Sequence, residues 1–289
     1  MTERSQRLSA LQNGVVGSVA GMVEVLIQQP TVAMKNAIQQ HRPIPWSVPA
    51  LYRGVGVSLA SIAPVSAVQF AVNGKMLGLL HQDPKKPTSD QVKITSAAVA
   101  GCFSSLLSSP AELVMTLQQN TGKSLVGTVR DVVQQHGVTR LFRGLEVTMM
   151  REAVWCASYL ALGPVITQRL HTTSPGVFGS PEEASISQKA SASAVGSILA
   201  GLVTVYATQP LDTIKTVMQG EALSVRGQNA TLAWGTAKRM YHNAGGSLAP
   251  FYRGAVPRGA RLIGAVFILG KAREYLEELI DERGILQGV

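Results

Sequence analysis

The sequence predicts an all-α membrane protein of six transmembrane helices arranged as three two-helix repeats, and three observations lead there. One phrase recurs at matched offsets: Ala20-Gly21, Pro30 and Gln39; Ala100-Gly101, Pro110 and Gln119; Ala200-Gly201, Pro210 and Gln219. An internal repeat of this kind governs architecture before any single residue is interpreted. Each phrase is closed by an aromatic-Arg-Gly mark, at Tyr52-Arg53-Gly54, Phe142-Arg143-Gly144 and Tyr252-Arg253-Gly254. Composition is the third observation: 46% of the 289 residues are hydrophobic, 15% charged and 5% aromatic, with 28 Gly and 14 Pro. Low charge with many small residues suits helices packed closely in lipid.

Six stretches reach the roughly 20 residues that a bilayer crossing needs: 11–38, 54–80, 94–117, 145–170, 191–218 and 256–280. They fall two to a repeat, the repeats being 1–90, 91–185 and 186–289 of one integrated domain, and an even number places both termini on one side. The first, third and fifth stretches open on small residues four apart, Gly17 and Gly21, Ala97 and Gly101, Ser197 and Gly201. That spacing lets helix backbones approach closely. Pro30, Pro110 and Pro210 then kink each odd span at one depth, which brings three helix ends together. The second, fourth and sixth stretches start just past the aromatic-Arg-Gly marks. Between odd and even spans, repeats two and three have room for an amphipathic surface helix, whereas repeat one has three prolines within 43–49 and reads as an extended linker. Buried helices of a large soluble protein are the competing reading, and the charge-free run 94–107 opposes it. A mean hydropathy of only +0.17 implies spans with polar faces, as a water-filled pathway needs.

A net charge of +9 raises the question of nucleic acid, but the charges are sorted by topology. The loops 39–53, 119–143 and 220–253 hold ten Lys/Arg against Asp131 and Glu221, while the opposite side holds seven of each sign. Such asymmetry is the positive-inside pattern. No aromatic-basic interleaving accompanies it, so no nucleic-acid partner is expected. Cys102 and Cys156 lie inside expected spans and read as packing residues. The five His have no metal-ligand spacing, and no catalytic motif is present. Neither an enzyme nor a metal or cofactor site is expected. Residues 1–10 are too short and polar for a signal or transit peptide, so targeting is expected to be internal.

Two and five residues past each repeat proline stand Val32 and Lys35, Glu112 and Met115, Asp212 and Lys215. Charges three apart share a helix face, and charge inside a span either pairs or faces water. Pairing within one helix and pairing between helices both satisfy that rule.

The Pro-x-acid-x-x-base register in triplicate, complete in repeat three and missing one charge each in repeats one and two, followed each time by aromatic-Arg-Gly, resembles the mitochondrial carrier family over nearly the whole chain. Pro210-Leu211-Asp212-Thr213-Ile214-Lys215 is close to a literal copy of its signature. The resemblance implies a six-helix, pseudo-threefold barrel whose central site opens alternately to either side, usually with obligatory exchange. It also implies a multi-pass protein of the mitochondrial inner membrane, or of a plastid envelope or peroxisomal membrane. Membrane lipid such as cardiolipin would be a partner, and the protein would be a monomer.

In that family the acid of one odd helix pairs with the base of the next, closing a matrix-side gate. Carried over, Glu112 meets Lys215 and Asp212 meets Lys35, while the third pair is Val32 with Met115. Both charges are missing together there, so no ion is left unpaired. Gln39, Gln119 and Gln219 match the glutamines that brace this gate. The second gate, on the even helices, is largely absent: Gly74 and Leu77, Pro164 and Thr167, and Glu274 and Glu277 stand at its positions, and only Glu274 fits.

The family's substrate contact points fall on Ser61 and Ile62, Arg151 and Glu152, and Arg261 and Leu262. Val65, Trp155 and Ala265 lie one turn further on, and Arg258 and Thr148 a turn nearer the matrix. Arg151 and Arg261 form a cationic centre suited to a carboxylate or phosphate. The Arg-Glu pair resembles the amino-acid branch of the family, with Glu152 facing an ammonium. Helix two offers no further acid, and Glu24 either substitutes for one or pairs at a helix interface. The expected function is therefore exchange of a small carboxylate-bearing metabolite, an amino acid or related acid, across an organelle inner membrane. The alternative is a non-transporting carrier fold used as a membrane interaction protein, which the missing second gate suggests and Arg151, Glu152 and Arg261 oppose.

Overall fold

The computed structural model describes residues 10–80, 89–180, 183–224 and 232–283, and every regular element in them is helical. In chain order these are α1 (Ala10–Gln39), α2 (Val48–Leu51), α3 (Val55–Leu80), α4 (Asp90–Thr121), α5 (Leu125–His136), α6 (Leu145–Thr173), α7 (Pro175–Phe178), α8 (Ile186–Gly220), α9 (Ala233–Asn243) and α10 (Ala255–Arg283). The six long helices carry the six expected stretches and overrun them by a few residues at most ends, and caps set three of those ends. The Ser89 hydroxyl accepts from the Val92 amide, Ser185 and Gln188 form a reciprocal capping box, and Gly122 ends α4 in the left-handed conformation.

The long helices close a ring: α1 packs on α3, α3 on α4, α4 on α6, α6 on α8, α8 on α10, and α10 back on α1. The distribution of polarity is inverted relative to a soluble protein. Leu26, Ile27, Phe70, Phe103, Leu106, Val203 and Phe267 are exposed, whereas Glu24, Gln28, Ser104, Ser105, Asp212 and Lys215 are buried. Apolar surface of this extent needs lipid to cover it. The spans Val48–Leu80, Asp90–Thr121 and Ile186–Gly220 are long and apolar enough to cross a membrane on composition alone.

The odd helices remain helical through Pro30, Pro110 and Pro210. In two of them the glutamine before the proline ties the odd helix to the corner that precedes the next even helix: Gln29 Nε2 donates to the Arg53 carbonyl at 3.1 Å and Gln209 Nε2 to the Arg253 carbonyl at 2.8 Å. Those carbonyls belong to the aromatic-Arg-Gly marks. The glycines that follow, Gly54, Gly144 and Gly254, have φ of 82°, 82° and 76°. Only glycine takes that conformation without strain, so the mark is the corner that turns each loop into an even helix.

The expected amphipathic helices are α5 and α9, and repeat one has only the single turn α2 after its extended linker. Val132 of α5 packs with Leu113, Leu117 and Ala222, while Ala233, Ala237 and Met240 of α9 pack on Ile214, Met218 and Phe251. Among the described residues these are the two buried apolar clusters, and both lie at the basic end.

Close helix approach through small residues holds in two repeats. A Cβ on Gly101 would stand 2.7 Å from the Glu152 carbonyl, and one on Gly201 2.6 Å from the Leu262 side chain. Repeat one departs from the expectation. A Cβ on Gly17 meets nothing within 4 Å, and one on Gly21 meets only Ile62, at 3.9 Å. Gly101→Leu is therefore expected to push α6 off α4 at a cost of about 1–3 kcal/mol, seen as a lower Tm of the detergent-solubilised protein, while Gly17→Ala leaves Tm unchanged.

Candidate substrate cavity and gate

Helices α1, α4 and α8 bring the residues that follow their prolines together at the basic end of the ring. Lys35 Nζ lies 2.9 Å from Asp212 Oδ2, and Lys215 Nζ lies 2.9 Å from Glu112 Oε2. Both contacts join different helices. The within-helix alternative is present only as the longer Lys215–Asp212 approach of 3.5 Å. Pairing between helices is thus the arrangement this conformation adopts. Val32 and Met115 line the same small void of about 90 Å³ beside the pairs, and Met115 Sδ accepts from Ser58 Oγ at 3.1 Å.

The three matched glutamines do three different things. Gln39 Nε2 donates to Asp212 Oδ2 at 3.0 Å and so braces an ion pair. Gln219 reaches the Ser109 carbonyl instead, at 3.4 Å. Gln119 accepts from Asn36 Nδ2 at 2.7 Å and donates to the Arg53 carbonyl at 3.4 Å. Gln119 differs because the third pair is missing: with Val32 and Met115 apolar, there is no carboxylate at that corner for it to hold.

Above the pairs lies a cavity of about 490 Å³ whose wall includes Glu24, Arg151, Glu152, Trp155, Arg258 and Arg261. A neighbouring cavity of about 360 Å³ is lined by Ser58, Ser61, Ile62 and Val65, and Glu24 and Arg261 line both. All three expected contact points therefore face this interior space, Ser61 on the apolar side and Arg151, Glu152, Trp155 and Arg261 on the charged side. Arg261 Nη2 lies 3.3 Å from Glu24 Oε1, which also accepts from Gln28 Nε2 at 3.0 Å. Glu24 is thus both paired at a helix interface and part of the cavity wall. Arg258 is committed to α8, donating to the Val205 carbonyl at 3.0 Å and to Thr208 Oγ1 at 2.9 Å.

Arg151 is the residue whose setting the sequence did not reveal. Its Nη2 lies 2.5 Å from Glu152 Oε1 and 3.1 Å from Glu112 Oε1, and its Nε lies 3.8 Å from Asp212 Oδ1. One guanidinium therefore joins the cavity to both ion pairs. In sequence, contact point and gate stand on different helices and so read as separate sites. The rotation of α6 against α4 that merges them has no signature in the chain. Gln29 and Gln209 were missed although a signal exists, since glutamine precedes the proline in two of three repeats. Asn36 and Arg42 were missed as well. The side chains of Glu274 and Glu277, the remaining second-gate positions, lie outside the described residues.

At the basic face, His41 takes φ of 56° and its Nδ1 lies 2.7 Å from Arg253 Nη1. Burial, and then the Arg253 charge, hold its imidazole below the ordinary histidine value.

The family model for mitochondrial carrier proteins matches residues 87–173 and 187–283. The chain is 30% identical to mitochondrial citrate transporter A of Aspergillus niger over 97% of each protein. It is 28% identical to the tricarboxylate transporter FUM11 of Gibberella moniliformis, over 93% of this chain and 90% of that one. It is 26% identical to the mitochondrial carnitine carrier of Saccharomyces cerevisiae, over 85% and 72%. With the ring of six long helices, the repeated prolines and the ion pairs that follow them, these matches establish that the chain belongs to the mitochondrial carrier family.

Proposed function

We propose that this chain exchanges a small carboxylate-bearing metabolite, preferably one with two or three acid groups, by alternating access. As a carrier-family member it is a transporter and not an enzyme, in the mitochondrial inner membrane. The observation that carries the substrate reading is the placement of Arg151 and Arg261 on the wall of one 490 Å³ cavity, since guanidinium forks match carboxylates in shape and charge. Relatives named for citrate and tricarboxylate transport support the same reading.

The links of Arg151 supply a coupling. A guest carboxylate that takes Arg151 Nη2 competes with Glu112, whose other oxygen holds Lys215. Filling the cavity therefore releases the α6–α4 tie between Arg151 and Glu112, while without a guest Arg151 stays clamped on Glu112 and Glu152. Return without a guest is then disfavoured, and exchange results.

The second reading is a zwitterionic amino acid with its ammonium facing Glu152. In this conformation Glu152 is taken up by Arg151 at 2.5 Å, and that favours the first. Counter-exchange in proteoliposomes against tricarboxylates, dicarboxylates, amino acids and nucleotides separates them when Glu152→Gln is run beside the parent. For a polycarboxylate guest, uptake is retained with a lower KM, because a competing acid has gone. For an amino acid, uptake collapses. Absence of exchange with every solute would leave the membrane interaction protein as the better reading.

A further inference from the structure

The gate has three seams, and only two carry an ion pair: α8 to α1 through Asp212 and Lys35, and α4 to α8 through Glu112 and Lys215. The α1 to α4 seam has Val32 and Met115 where the repeat would place charges. Four to ten residues further along, that seam carries a set of polar bonds of its own. Asn36 Nδ2 donates to Gln119 Oε1 at 2.7 Å, Asn120 Nδ2 donates to Gln40 Oε1 at 2.6 Å, and Arg42 Nη1 donates to Asn120 Oδ1. Arg42 also reaches the Gln119 and Asn120 carbonyls at 3.3 Å, placing a cation at the negative end of α4.

We propose that these residues form a polar latch that closes the α1–α4 seam of the matrix gate in place of the missing ion pair. The proposal rests on the gate reading given above and extends it to residues outside the signature. Repeat register supports it. Asn36 corresponds to Thr116 and Thr216, and Arg42 to Gly122 and Ala222, so the extra amide and guanidinium are confined to the repeat whose seam lost its charge. Thr216 turns back to its own helix, donating to the Asp212 carbonyl at 2.8 Å. Gln40 corresponds to Asn120 and Gly220, and a Cβ on Gly220 would stand 2.0 Å from Gln40 Oε1. The third position of this layer is therefore without a side chain, and the space is filled by the Gln40–Asn120 bond. The linker makes the reach possible: the left-handed His41 reverses the chain so that the Arg42 amide returns to the Ala37 carbonyl at 2.9 Å, and Pro43 follows.

The test is access from the matrix face. A single cysteine is introduced by Ser61→Cys in a Cys102→Ala/Cys156→Ala background, reconstituted in liposomes of determined orientation, and labelled with a membrane-impermeant maleimide without substrate. Breaking the latch with Asn36→Ala/Arg42→Ala is expected to raise the labelling rate from the matrix face about tenfold, a modest shift of a two-state balance. Adding Val32→Asp/Met115→Lys to that variant is expected to bring the rate back toward the parent's, because the ion pair then closes the same seam. A merely structural contribution of Asn36 or Arg42 would not be rescued by charges placed elsewhere. Since Asn36 is buried, Arg42→Ala alone, altered outside any helix, serves as the second variant if the double fails to give a cooperative thermal transition. An unchanged labelling rate in a folded latch variant, or no recovery with the added pair, overturns the latch. The assay uses no solute, so labelling as expected, beside an unsubstituted protein that exchanges no carboxylate, overturns the substrate reading and leaves the latch standing.

Discussion

Arg151→Ala is expected to lower carboxylate exchange at least a hundredfold. In the proposed function the guanidinium takes the guest's carboxylate, and in the structure it holds Glu112 and Glu152. Charge-assisted hydrogen bonds contribute about 1.5–3 kcal/mol each, so losing two reaches this size. Arg151→Lys should recover only part, because an ammonium is a point charge without the planar fork. Initial rates of counter-exchange in proteoliposomes, with Tm of the same preparations as the folding control, decide it. A rate within threefold of the parent would remove Arg151 from the substrate site.

Asp212→Asn should be the most destabilising single change in the gate. Asp212 is 1% exposed, and its carboxylate meets Lys35 at 2.9 Å, Lys215 at 3.5 Å and Gln39 at 3.0 Å. Breaking a buried pair by removing one partner costs about 3–5 kcal/mol, which corresponds to a fall in Tm of roughly 10 °C for a chain of this size. Lys35→Met added to it should return a good part, since the stranded ammonium goes with it. Glu112→Gln, at a side chain 26% exposed, should fall less. Thermal unfolding of the three variants in one detergent gives the order, and a double that falls further than the single would show that Lys35 has other partners.

The architecture was legible because it is written three times. The prolines, the aromatic-Arg-Gly marks and the acid-x-x-base offsets each recur, and a recurrent pattern survives the loss of one copy, as Val32 and Met115 show. In the structure the ion pairs join residues two and five past the prolines on different helices, and Ser61, Arg151, Glu152, Trp155 and Arg261 line the interior cavities. Features that occur once were not legible. Arg42 reaches α4 only through the turn at His41, and Arg151 reaches Glu112 only because α6 lies at a particular rotation beside α4. Both depend on geometry between elements, which periodicity does not encode. Gly17 and Gly21 illustrate the converse, since their small-residue spacing matches that of Gly101 in sequence and yet no neighbour comes close.

The residues lining the interior cavities have an electrical consequence. Lys35, Arg151, Lys215, Arg258 and Arg261 stand there against Glu24, Glu112, Glu152 and Asp212, so among the described residues the charged groups of the interior sum to one surplus positive charge. A monovalent anion cancels it, while a trivalent one reverses its sign. Moving one elementary charge through 100 mV of membrane potential is worth about 2.3 kcal/mol. The valence of the cargo therefore sets whether the loaded or the vacant carrier feels the field, and swapping cargoes of unequal valence makes the potential itself a driving force for net flux.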